Sequence, residues 1–145
     1  MSTATVSENR PDLTEADLLE MPESEYMNSC QLAFFKSRLL AMRKDVMQSA
    51  QTLVTDLREA EHVADPSDRA TLEEEYLRTL RVRDRERKLL ERIERALGRI
   101  ETGGYGFCED SGEPIGLGRL LARPTARLSL DAQKSREHYK SLYED

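Results

Sequence analysis

The stretch CQLAFFKSRLLAMRKDVMQSAQTLVTDLREAEHVADPSDRA, residues 30–70, decides the fold. Within it Leu32, Phe35, Leu39, Met42, Val46, Ser49, Leu53 and Leu57 step by 3, 4, 3, 4, 3, 4 and 4 residues. A strand alternates every second residue, whereas steps of three and four keep one stripe on one side of a helix. The spacing therefore predicts one helix over about 30–61, with the stripe as an a/d seam. Asn28 or Ser29 is placed to cap its start.

A second periodic segment covers about 66–101, with Tyr76, Leu80, Leu90, Ile93, Leu97 and Ile100 as its stripe. Gly103 and Gly104 stop it. Only HVADP separates the two segments, and so short a connection demands an antiparallel hairpin. Arms of roughly 33 residues at ~1.5 Å rise are ~50 Å long. A globule of this chain length is only ~30 Å across, so the hairpin is expected to project. The run RVRDRERK, residues 81–88, breaks the second apolar stripe. Folding about residue 65 sets that run opposite Val46–Ser49, where the first stripe also turns small and polar.

Outward from the hairpin the signals weaken. Residues 1–12 are polar and read as disordered, and TEADLLE, 14–20, reads as a short helix ending before Pro22. Residues 105–128 are loop-rich, and 129–143 read as a final helix capped by Ser129 with Asp131 in its first turn. The expected fold is mainly α. It comprises an N-terminal segment (1–28), a coiled-coil hairpin (29–102, tip 62–70), a small module (103–128) and a C-terminal helix (129–145).

Composition agrees. Of 145 residues 34% are charged and 6% aromatic, with no Trp, which favours long solvated helices over one large core. A net charge of −6 makes the whole chain a poor binder of duplex DNA. No signal-peptide core opens the chain, and no apolar run approaches the ~18 residues of a membrane span, so a cytoplasmic protein is expected. Two cysteines, Cys30 and Cys108, fit a reducing compartment.

Three features carry chemistry. At the tip, Asp65 reads as an N-cap, Pro66 as the first helical residue and Asp68 as a first-turn acid. The same two carboxylates, with Ala70 behind them, are also suited to act near a metal ion or basic group. Residues 81–99 hold eight Lys or Arg against four acids. They serve either as a solvated face with pairs such as Asp84–Lys88 or as an anion or partner site. Finally, Cys108, Ser111, Ser129 and Ala132 are spaced like the ligands of a four-thiolate zinc site, with three of the four sulfurs missing. One thiolate cannot hold structural zinc. His62 lies at the tip and His138 on the last helix, and neither completes the set. Tyr105, Phe107, Ile115, Leu117, Leu120, Leu121, Leu128 and Leu130 offer an apolar cluster to stabilise the module instead.

The strings ADPSDRA, then EEEY…LR.RDRERKLL..IE.AL..I, then GYGFCEDSGEPIGLGRLLARPTARL together resemble the DksA family, from about Tyr26 to the end. The resemblance implies a bacterial transcription factor that inserts its hairpin into the RNA polymerase secondary channel. It implies no catalysis. It matches Asp65, Asp68 and Ala70 to the tip residues facing the polymerase active site, and Arg85, Arg92 and Arg123 to basic residues that bind the effector ppGpp. A further family lysine is matched by Gln133. The loss of cysteines resembles that of zinc-independent DksA paralogues, so no zinc is expected, nor any other bound cofactor. The expected partners are RNA polymerase and ppGpp, with promoter complexes such as those at ribosomal RNA genes destabilised, no sequence-specific DNA contact and a monomeric state. The rival readings are a Gre-like factor that stimulates transcript cleavage, a thiol redox sensor acting through Cys108, and an adaptor that oligomerises through the hairpin seam.

Overall fold

The computed structural model describes residues 13–63 and 69–143. In chain order these form α1 (Glu15–Leu19), a 3-10 turn (Glu23–Glu25), α2 (Ser29–Val63), α3 (Arg69–Thr102), α4 (Leu117–Ala122) and α5 (Leu130–Tyr143). Among the described residues there is no strand, only an isolated antiparallel bridge between Phe107 and Pro114. The expected class is what is found: a mainly α chain built on a long antiparallel helical hairpin, then a small loop-rich module and a terminal helix. The chain divides into two compact units, 40–94 and the combination of 1–39 with 95–145.

In the unit 40–94, α2 and α3 run antiparallel, with Arg43 Nη1 2.9 Å from Glu94 Oε1. The α3 seam is not the one that large side chains suggest. Tyr76 and Leu80 are 45% and 41% exposed. Ile93 is fully buried, and counting back from it by alternate steps of four and three gives Leu89, Glu86, Val82 and Thr79, all half-buried. The helix phase is fixed by the best-packed residue, and the bulkiest residues upstream are out of phase with it. The seam therefore runs through the basic stretch instead of breaking there. Val82 and Glu86 are its seam residues, flanked by exposed arginines. Glu86 brings a carboxylate oxygen, Oε2, that is buried without a hydrogen-bond partner.

The other unit shows its local logic at each helix end. Thr14 caps α1 by a capping box with Asp17, and Leu18 of α1 is fully buried. Asn28 caps α2: its Oδ1 accepts from the Gln31 N–H at 2.8 Å, while Gln31 Oε1 accepts from the Met27 N–H at 2.7 Å. At the end of α3, Gly103 adopts φ +87° and the Gly104 N–H reaches back to the Arg99 carbonyl at 2.9 Å. That left-handed exit explains the glycine pair. Phe35 and Leu39 of α2 are fully buried, and Phe35 lies 5.6 Å, centroid to centroid, from Tyr105. Burying one such aromatic contributes ~1.5–3 kcal/mol. Tyr105 donates to the Pro124 carbonyl at 2.7 Å. Tyr26 donates to the Gly106 carbonyl at 2.6 Å and accepts from the Gly116 N–H at 2.9 Å, so the segment before α2 is pinned to the module.

Two expectations change. A short helix, α4, occupies Leu117–Ala122 inside the stretch read as loop, and it packs against α1. Its six residues lie between glycines and a proline, too few to show a helical period. The apolar cluster is also smaller than supposed. Tyr105, Ile115, Leu120 and Leu128 are buried, but Leu130 is 52% exposed. The tip carboxylates Asp65 and Asp68, and residues 1–12, lie outside the described residues.

Candidate functional site

At the hairpin turn, α2 ends at Val63 and α3 begins at Arg69, and Ala70 is exposed in the first turn of α3.

Along α3 the basic residues separate into two sets. Arg87 bonds Asp84 at 3.0 Å and Glu91 at 3.1 Å, and Lys88 reaches Asp84 at 3.1 Å. The hydrogen bond from Arg87, then the one from Lys88, holds the Asp84 carboxyl below its ordinary range. These are the i,i+3 and i,i+4 pairs of a solvated helix. Arg85 and Arg92, by contrast, are exposed, and seven residues apart they share one face of α3. Arg85 lies along a shallow groove with Leu77, Leu80, Arg81 and Asp84. An exposed arginine can meet an anion bidentately. Arg123 belongs to the other unit, where it ends α4 with its side chain exposed. Gln133, at the remaining basic position of the resemblance, is already engaged: its amide oxygen accepts from Arg119 and its nitrogen donates to Glu137 at 3.0 Å.

The four positions with zinc-ligand spacing form a real cluster. Cys108 is 3% exposed. Its backbone makes a tight turn, with its N–H donating to the Glu113 carbonyl at 2.8 Å and its carbonyl accepting from Gly112 at 2.9 Å. Burial pushes its thiol up, but hydrogen bonds from the Ser111 and Ser129 hydroxyls and backbone amides outweigh this and hold it at about 6. Ser129 also caps α5, its Oγ accepting from the Ala132 N–H at 3.2 Å. The donor set is thus one thiol, two hydroxyls already committed to hydrogen bonds, and a methyl group. Structural zinc takes four nitrogen or sulfur ligands, so these residues do not fit it.

Comparison with known proteins gives the lineage of this arrangement. Residues 31–100 match the family described as DnaK suppressor protein DksA, N-terminal domain, and residues 103–138 match the prokaryotic dksA/traR C4-type zinc finger. A relative from Caulobacter vibrioides, named RNA polymerase-binding transcription factor DksA, is 42% identical over 100% of this chain and 99% of its own. The chain belongs to the DksA family. The Escherichia coli relative of the same name is 46% identical over 79% of this chain and 76% of its own. A solved structure titled transcription factor DksA2 from Pseudomonas aeruginosa superposes with a TM-score of 0.81 at 40% identity, covering 88% of this chain and 99% of that one. This DksA-family chain keeps the finger's frame and lacks three of its thiols.

Sequence reasoning found the cluster and the basic face. It missed Glu109, Asp110, Arg127 and Arg136, and it placed Arg99 in the basic stretch and not among the ion pairs that tie the module together. Only the charge alternation CED…R…R hinted at them.

Proposed function

We propose that this chain binds RNA polymerase and regulates transcription without catalysing a reaction. Its identity over the full chain with a relative named for polymerase binding carries this reading. In the finer reading the hairpin enters the secondary channel with Asp65, Asp68 and Ala70 facing the polymerase active site. Arg85, Arg92 and Arg123 contribute to binding ppGpp, which enhances inhibition of promoters such as those of ribosomal RNA. Their exposure, with no ion pair to either among the described residues, supports that role for Arg85 and Arg92. Gln133 adds no positive charge and is held by its neighbours, so ppGpp coupling is weaker than a lysine there would give. The chain acts as a monomer in the cytoplasm, and its module works without zinc, a reading supported by the unsuitable donor set at Cys108, Ser111, Ser129 and Ala132.

Two assays on purified protein test this: co-migration with RNA polymerase, and transcription from a ribosomal RNA promoter. Asp68→Asn should abolish inhibition while co-migration persists. Loss of co-migration to the same degree would reduce the tip to a folding role. Stimulated transcript cleavage in backtracked complexes would favour a Gre-like factor instead.

A further inference from the structure

A metal held at 108, 111, 129 and 132 would cross-link two segments, the first turn of the module and the start of α5. Here the same two segments are joined by charge. Glu109 and Asp110 lie between the first two ligand positions. Glu109 Oε2 is 2.9 Å from Arg127 Nη1, and the Glu109 N–H donates to the Arg127 carbonyl at 2.9 Å. Asp110 meets Arg136 with two contacts, Nε–Oδ2 at 2.7 Å and Nη2–Oδ1 at 2.5 Å. Arg127 precedes Ser129 by two residues and Arg136 follows Ala132 by four, so the guanidiniums bracket the second pair of positions. Glu109 is doubly held. Its Oε1 is 3.1 Å from Arg99 Nη1, and Arg99 Nη2 donates to the carbonyls of Gly104 at 2.7 Å and Phe107 at 2.8 Å.

We propose that the carboxylate–guanidinium pairs Glu109–Arg127 and Asp110–Arg136 replace the metal as the cross-link of this module, with Arg99 anchoring Glu109 to the end of α3. This rests on the metal-free reading of the module. A lone exposed ion pair contributes little, but a network that shares partners and is partly shielded loses less to solvent and to side-chain entropy. Glu109 and Arg99 are 26% and 20% exposed, against 37% for Asp110 and 48% for Arg136. The Glu109 arm is therefore the stronger one. The Ser129 hydroxyl is shared between Cys108 and the cap of α5.

Thermal unfolding of the full chain, followed by near-ultraviolet circular dichroism, tests the proposal. Glu109→Gln and Asp110→Asn should each lower the melting temperature, by about 2–4 °C for every pair lost, with Glu109→Gln the larger. Within the Asp110–Arg136 pair, adding Arg136→Gln to Asp110→Asn should cost little more. Chelator should leave the unaltered chain's melting temperature unchanged. Restoring thiols with Ser111→Cys, Ser129→Cys and Ala132→Cys and loading zinc should then make Asp110→Asn and Glu109→Gln nearly silent. If chelator is silent and the carboxamide variants are silent too, the ion pairs are not the cross-link, although the module is metal-free. If chelator melts the unaltered chain and metal analysis finds bound zinc, both readings fall. Should the three-cysteine variant not fold, the pairwise variants decide alone.

Discussion

At the scale of single residues, Cys108 is a buried thiol held by two serines. Its thiol sits at about 6 in the folded chain against an ordinary 9.0, so between those values the unfolded chain binds more protons than the folded one. Its contribution to stability is complete above the unfolded value, declines as pH falls through that window, and is gone below about 6. The ultraviolet thiolate absorbance that Cys108→Ser removes should titrate with a midpoint near 6, and Ser129→Ala should raise that midpoint. Gly106 is a second fixed point. It adopts φ +89°, and an added Cβ would lie 2.6 Å from Met27 Cγ. Gly106→Ala should destabilise the chain by more than ~1 kcal/mol in denaturant titration, and trimming Met27 should recover only the steric part. Caps such as Asn28 and Ser129 were legible in the sequence because they act within one turn. Glu109–Arg127 was not, because its partners are 18 residues apart and meet only once the loop path is set.

At the scale of elements, both long helices and their antiparallel pairing could be read from spacing, since a sustained 3–4 period has few other solutions. The phase of α3 could not. Hydrophobicity pointed to Tyr76 and Leu80, while the seam passes through Thr79, Val82 and Glu86. A charged residue at a seam position looks like an interruption until the packing shows which face it occupies. Glu86 follows as a weak point in α3. Glu86→Leu should raise stability by ~1 kcal/mol, because it removes a buried unpaired oxygen and adds apolar contact, read as a higher denaturant midpoint. No change in midpoint would mean that the carboxylate reaches water. At the start of α2, Asn28→Ala should cost ~1 kcal/mol by the same measurement.

At the scale of the whole molecule, an acidic chain presents a local run of exposed arginines on α3. On the proposed reading, that contrast suits binding to an anion within a larger assembly better than binding to duplex DNA, where net negative charge is repelled. Among the described residues no helix is long and apolar enough to cross a membrane. Function was legible only through the joint occurrence of the tip, the basic stretch and the finger frame. Each alone has an ordinary structural explanation, and none identifies a polymerase by itself. The most direct measurement is transcription from a ribosomal RNA promoter by purified polymerase, with this protein stripped of metal and kept in chelator. The account predicts inhibition that ppGpp deepens, undiminished by the chelator. Full promoter activity under those conditions, restored to inhibition only by added zinc, would contradict it.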